Sequence, residues 1–306
     1  MRGHELLGQW IASLVLAGAL LWTTQAEAGP ITFNTALPVN ANELILREQV
    51  IWLRATDDPS PMNRNLNVIA VPTVLVYGVH PRVAVFGILP FLYKRMDITT
   101  PSGQRVRRSA SGFGDLSTFV RVTALQIDRP RETIRLAPFA GLKMPTGATG
   151  IADDLGPLPP VLQLGTGSWD PFGGLIFTWQ KLRWELDLSG SYLVRTEANE
   201  FNAGDEARGD ASFQYRVVPW GEVGPGVPSW LFAVLESNVV WQGRDEIGGV
   251  ENPNSGGVNW YLAPGLQWVT LRTVLEAAVQ IPVLTRTNGQ GLGQDFIARV
   301  SVRVNF

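Results

Sequence analysis

From Trp184 to Arg195 the chain alternates with only Leu193 out of place. Trp184, Leu186, Leu188, Gly190, Tyr192 and Val194 fall on one side. Glu185, Asp187, Ser189, Ser191, Leu193 and Arg195 fall on the other. A repeat of two residues fits extended backbone, whose successive side chains point to opposite faces, and rules out a helix. The pattern returns in Ala207, Gly209, Ala211, Phe213, Tyr215 and Val217 set against Arg208, Asp210, Ser212, Gln214 and Arg216. It returns again in Leu275, Ala277, Val279 and Ile281 against Glu276, Ala278 and Gln280. The chain closes on Phe296, Ala298, Val300, Val302, Val304 and Phe306 against Arg299, Ser301, Arg303 and Asn305.

Two surroundings produce such two-faced strands: a soluble sandwich with a dry core, or a barrel in lipid with a polar interior. The first 28 residues favour the second. Arg2, an apolar run over 10–22 and the closing Ala26-Glu27-Ala28 follow the order of a secretory signal peptide. The run is too short for a spanning helix, which needs about 20 residues. Cleavage is expected after Ala28, leaving residues 29–42 as a periplasmic or plug segment and 43–306 as the barrel.

The alternation divides 43–306 into about 12 strands. They are expected near 43–55, 65–78, 83–96, 114–126, 133–144, 170–179, 182–196, 205–218, 229–242, 257–268, 271–284 and 294–306. Odd connections, such as Asp97–Phe113 and Thr146–Trp169, read as long polar loops; even ones, such as His80-Pro81-Arg82 and Gln180-Lys181, read as tight turns. Long extracellular loops opposite short periplasmic turns, with both termini on the periplasmic side, is the transmembrane barrel arrangement. The predicted fold is therefore all-β, an antiparallel transmembrane β-barrel.

Tryptophan sorts by strand end. Trp179, Trp184, Trp220, Trp230 and Trp268 lie near the short turns, and Trp52, Trp169, Trp241 and Trp260 near the long loops, as two interfacial girdles require. Only 17% of residues are charged. That suits strands with one face against hydrocarbon, where a midplane Arg or Lys costs about 2–4 kcal/mol. Glu48 and Arg54 break the rule by sharing a face with Leu44, Leu46, Val50 and Trp52; a bulge would be needed to turn Glu48 away.

Three Gly-rich blocks, Gly112-Phe113-Gly114-Asp115-Leu116, Gly141-Leu142-Lys143-Met144-Pro145-Thr146-Gly147 and Leu164-Gly165-Thr166-Gly167-Ser168-Trp169-Asp170, each fall where a strand meets an extracellular loop. Their order resembles the outer-membrane transporter family named for the meta-pathway of phenol degradation. The resemblance implies a bacterial outer-membrane barrel concerned with small, often aromatic, compounds.

Chemistry-bearing residues are scarce. Cys is absent and His occurs only at His4 and His80, so thiolate catalysis is excluded and a His-dependent reaction has one candidate, in a turn. No cofactor, no metal site and no enzymatic activity are expected. The net charge of −2 gives no basic footprint for nucleic acid. Gly147–Gly156 lacks the Lys-Ser/Thr ending of a phosphate loop. Asp153, Asp154 and Glu251 read as solvated loop carboxylates, with calcium as the sharper alternative. Arg105, Arg107 and Arg108 form a basic cluster suited to lipopolysaccharide phosphates.

The inward faces carry the functional expectation. Arg47, Arg121, Arg135, Lys143, Arg195, Arg208, Arg216, Arg272, Arg299 and Arg303 outnumber Glu185, Asp187, Asp210, Glu236 and Glu276 there. A positive interior favours anionic or electron-rich aromatic solutes; alternatively these groups pair with one another and fill the bore. Glu185 and Asp187 are expected to pair with Arg208 or Arg216. The leading reading is a passive, narrow conduit for small solutes, and the alternative is a sealed barrel with a structural or adhesive surface role. Expected partners are outer-membrane lipid, lipopolysaccharide, the solute, and the barrel-assembly machinery through the last strand ending at Phe306.

Overall fold

The computed structural model describes residues 26–219 and 229–306. The expected signal peptide lies largely, and Trp220 wholly, outside the described residues. Twelve strands form one antiparallel sheet that closes on itself. They are β1 (Leu44–Ala55), β2 (Asn65–His80), β3 (Val83–Thr99), β4 in three segments (Arg105–Phe113, Leu116–Val122, Leu125–Arg129) and β5 (Glu132–Met144). The circuit continues through β6 (Asp170–Lys181), β7 (Trp184–Leu193), β8 (Glu206–Val218), β9 (Trp230–Gln242), β10 (Gly257–Val269), β11 (Thr273–Thr287) and β12 (Phe296–Asn305). The seam between β1 and β12 runs in unbroken register from Ile45 opposite Asn305 to Arg54 opposite Phe296. Closure leaves no edge, which is what lipid demands of a sheet whose unpaired backbone groups would each cost several kcal/mol.

The alternation assigns the faces as expected along β7, β8, β11 and β12. Glu185, Asp187, Asp210, Gln214, Glu276 and Ser301 are buried, whereas Leu188, Phe213, Leu275 and Val300 are exposed outward. Trp179 and Trp184 pack edge to face at 4.9 Å near the short turns, and Trp268 is exposed at the same end. Trp52, Trp169, Trp241 and Trp260 are exposed at the other end. Trp230 departs from the expectation: it turns inward, against Ala26, Ala28, Val269 and Val274.

Two strand assignments are corrected. Asp97–Phe113 is not a loop, because β3 runs on to Thr99 and the Arg105–Phe113 segment pairs with Phe91–Thr99. The hairpin is polar on its outer face because it rises beyond the hydrocarbon, and the sequence reads that polarity as loop. β4 also carries two extra residues. Phe113 lies opposite Phe91 but Ser117 opposite Ile88, and Arg121 lies opposite Phe139 but Leu125 opposite Leu136. Each insertion is a bulge that swaps the faces, so Ala110 and Phe119 both point inward despite opposite parity. No bulge occurs at Glu48. Its strand keeps register with Val302 and Thr73, and Glu48 stays on the outer face.

Candidate functional site: the lumen and its mouth

The interior has two unlike walls. From β7 to β12 it carries a laterally hydrogen-bonded band of polar groups, with apolar clusters around Val234, Val269 and Val274. Gln214 Nε2 donates to Asp187 (3.0 Å) and to Ser212 Oγ (2.9 Å), and Ser212 Oγ donates to Glu236 (3.1 Å). Asn238 donates to Asp210 (2.8 Å) and accepts from Gln280 (2.9 Å), which in turn accepts from Arg299 Nε (3.0 Å). Glu276 accepts from Gln267 (2.7 Å), Ser301 (2.5 Å) and Arg47. Buried polar groups require such partners, since each unsatisfied one costs about 1–3 kcal/mol.

The opposite wall overturns the expectation that every inward face is polar. β2 presents Leu66, Val68, Pro72, Val74 and Val76 to the interior, and β3 presents Ala84, Phe86, Ile88 and Leu92. Phe86 stacks on Phe119 at 4.2 Å, and Phe119 meets Phe139 (5.7 Å) and Phe172 (5.9 Å). The Arg121 guanidinium sits 5.1 Å over the Phe86 ring. β2 is apolar on both faces, so alternation could not report its inner one. The run from Leu66 to Val76, interrupted only by Asn67 and Thr73, was the available signal.

Residues 26–40 run between the two walls without regular secondary structure. Such backbone must find side-chain partners once buried, and strands all around the barrel supply them. Glu236 accepts from the N–H groups of Ile31 (2.6 Å) and Thr32 (3.1 Å), Thr178 Oγ1 from Ala36 N–H (2.8 Å), and Gln267 Oε1 from Gly29 N–H (3.3 Å). Arg121 donates to the carbonyls of Thr35 and Leu37 at 2.5 Å each, Arg47 to that of Ile31 (2.8 Å), and Arg303 to that of Glu27. Ile31 and Ala36 are fully buried. Burial pushes the Glu27 carboxyl above its usual range, against the opposing pull of Arg303 and Arg135.

At the extracellular mouth the three Gly-rich blocks meet. Asp115 accepts from Gly147 N–H (2.9 Å) and from both the N–H (2.9 Å) and hydroxyl (3.0 Å) of Thr166. Lys143 bridges Asp170 (2.5 Å) and Asp115 (3.4 Å), and donates to Thr166 (2.6 Å). A Cβ on Gly147 would lie 2.8 Å from the backbone of Gly165, so the two strands of the loop approach only as glycines. The knot holds 145–169 over the barrel, where Leu158, Leu162 and Leu164 pack on Leu66, Met96 and Ala110. Arg108, facing inward, grips the same loop through Asp153 (2.7 Å) and the carbonyls of Gly156 and Pro157.

The remaining inward charges take local partners. Arg135 pairs with Asp128 (2.7 Å), Arg208 with Asp210 (3.3 Å) and Arg195 with Glu206 (3.5 Å). Arg216 borders a periplasmic-end cavity of about 480 Å³, and Arg272 lies in the turn before β11. Glu185 and Asp187 do not pair with Arg208 or Arg216: Glu185 accepts from Gln180 (2.7 Å) and Asp187 from Thr178 and Gln214. Register explains this, since Glu185 and Asp187 stand opposite Gln214 and Ser212 rather than opposite an Arg. Glu251 is taken by Arg244 (3.1 Å) and Asp153 by Arg108, so these loop carboxylates serve ion pairs. A cavity of about 520 Å³ lies between residues 27–40 and the apolar wall, bordered by Pro72, Val74, Phe86 and Ile88 and by Arg47, Arg121 and Arg303.

The family described as "Putative MetA-pathway of phenol degradation" matches residues 70–294. Among solved structures, an outer membrane channel from Pseudomonas putida F1 is 16% identical, covers 92% of this chain and 100% of its own, and superposes with a TM-score of 0.65. The β domain of the Bordetella autotransporter BrkA is 11% identical over 87% of this chain and 100% of its own, with a TM-score of 0.41. The translocator domain of NalP from Neisseria meningitidis is 10% identical over 99% of this chain and 96% of its own, with a TM-score of 0.42. No curated protein matches the sequence. The family match and the fold shared with the Pseudomonas channel give a bacterial outer-membrane β-barrel.

Proposed function

Because this chain belongs to that phenol-degradation family, we propose that it conducts small aromatic solutes, anionic ones included, from the mouth along the apolar wall of β2–β5 into the 520 Å³ cavity. One observation carries the reading: Pro72, Val74, Val76, Phe86, Ile88 and Phe119 form an apolar wall on one side of the interior, and a purely structural barrel gains nothing from an apolar wall beside a void. The void is of the size that small-molecule sites use, roughly 300–1,000 Å³. Arg47, Arg121 and Arg303 border the same space, Arg121 over the Phe86 ring, where a carboxylate or phenolate on an aromatic ring would compete for them with the main-chain carbonyls they hold. The Pseudomonas structure with the same fold is an outer membrane channel, which agrees with this reading.

Residues 29–40 act in this scheme as a plug that a solute displaces or slips past. The alternative, a sealed structural or adhesive barrel, draws its support from the hydrogen bonds that tie this segment across the lumen. The two readings part in liposome-swelling assays with aromatic carboxylates and with sugars of matched size. Faster entry of the aromatic set, altered by Arg121→Ala or Arg303→Ala, supports conduction. Permeation no greater than in empty vesicles for both sets sinks it. Assembly machinery would engage β12 and the Phe306 that follows it, which lies exposed and donates its N–H to Leu44 O (2.8 Å) at the seam.

A further inference from the structure

The outer face of β1–β4 changes character in steps toward the extracellular end. Trp52, Tyr93, Phe91 and Phe113 are exposed on it, with Trp52 edge-on to Phe296 at 4.9 Å and Phe91 to Phe113 at 5.5 Å. Indole and phenol rings mark the level where acyl chains give way to headgroups. Two residues further along their strands come Arg54 and Arg95, both opposite Asn67 and so about 10 Å apart across two strand spacings. Arg107 and then Arg105 stand above Arg95 on the neighbouring strand.

These four guanidinium groups have fewer carboxylates than they could use. Asp97 is shared between Arg95 (2.9 Å) and Arg107 (3.0 Å). Arg54 reaches Asp295 at 3.5 Å, and Arg105 donates to the carbonyl of Asn63 and the hydroxyl of Thr99. The Arg54 and Arg107 side chains are 45% and 60% exposed. The far side of the rim is the reverse: the β7–β8 and β9–β10 loops carry Glu197, Glu200, Asp205, Asp245, Glu246 and Glu251. Arg108, the third member of the basic sequence cluster, takes no part because it points inward to Asp153.

The geometry points to a binding site for the phosphate groups of lipid A on this face, formed by Arg54, Arg95, Arg105 and Arg107 above the aromatic row. The site faces the outer leaflet, since it lies at the end opposite the short turns. A headgroup bearing two phosphates spans guanidinium groups spread over the four adjacent strands β1–β4, whereas a phospholipid offers one phosphate to one or two of them. Charge-assisted bonds from Arg to phosphate are the strong kind. The placement also accounts for Arg54, which breaks the apolar pattern of β1 one step beyond Trp52. It does not depend on which solute passes through the lumen.

Native mass spectrometry of the detergent-solubilised, full-length barrel tests the assignment with three added lipids: bisphosphorylated lipid A, dephosphorylated lipid A and phosphatidylglycerol. The expected result is retention of bisphosphorylated lipid A at least tenfold above the other two. R54S/R105S/R107S should abolish that preference, and Arg244→Ser, on the acidic side of the rim, should keep it. Equal retention of the dephosphorylated form or of phosphatidylglycerol overturns the proposal, as does an unchanged preference in the triple variant. If the triple variant does not insert, the three-lipid comparison on the unaltered protein decides.

Discussion

The two walls of the lumen obey opposite rules although one chain makes both. Along β7–β12 the buried carboxylates and amides bond one another or the backbone of residues 29–32, beside inward apolar groups such as Trp230, Val234 and Val274. Along β2 and β3 the inward side chains are apolar apart from Lys94: those nearest the mouth pack against loop 145–169, and Pro72, Val74, Val76, Phe86 and Ile88 border the cavity. The polar wall anchors residues 29–36, and the apolar wall is the proposed path. Charges inside a barrel are therefore not a map of where solute binds: several inward Arg groups already hold main-chain carbonyls.

Removing residues 29–37 should break the contrast most severely, because the polar wall then loses its ligand. Swelling rates should rise at least tenfold for both aromatic and sugar solutes; unchanged rates would mean that the constriction lies elsewhere. Next in size, Val74→Asp or Phe86→Asp should cut aromatic permeation about tenfold, equivalent to about 1.4 kcal/mol, while sugar permeation stays within twofold. Equal loss for both solutes would show a collapsed lumen instead of an altered path.

Glu236→Ala is a finer probe. It strands the N–H groups of Ile31 and Thr32 at a cost of about 1–3 kcal/mol each, so open-state dwell times in planar bilayers should lengthen several-fold. At the mouth, Asp115→Ala removes acceptors for Gly147 and Thr166 and should expose 145–169 to protease severalfold faster without unfolding the barrel. The smallest expected effect is at the β1–β2 loop. Burial would raise the Asp58 carboxyl, but hydrogen bonds from Arg64 and Ser60 outweigh it and hold the group well below the usual carboxylate range. A depressed carboxyl stabilises the fold above its unfolded-state value of 3.8 and loses that contribution only as pH falls through the lower folded value. Proteolytic protection of 56–64 should therefore be the same at pH 4 and pH 7, and D58N should reduce it at both.

Legibility followed the contrast between faces. Where one face met lipid and the other met polar groups, as in Trp184–Leu193 and Phe296–Asn305, the sequence placed each residue correctly. It failed along β2, where lipid outside and an apolar wall inside ask for the same residue types. It failed again at Arg105–Phe113, where both surroundings are wet enough to look like loop. The three Gly-rich blocks were visible as blocks, but nothing local says that Asp115, Lys143 and Thr166 meet.

The alternation by itself determined an all-β fold and its strand count; joined to the leader pattern, the loop lengths and the Trp girdles it pointed to a barrel in lipid, where a period-two sheet must close. The tertiary structure alone decided which inward charges are spoken for, where the wall is apolar on both sides and how 26–40 lie within it. Those are questions of which groups distant in sequence stand within hydrogen-bond reach. A local pattern fixes the direction a side chain points but not what waits for it across the lumen.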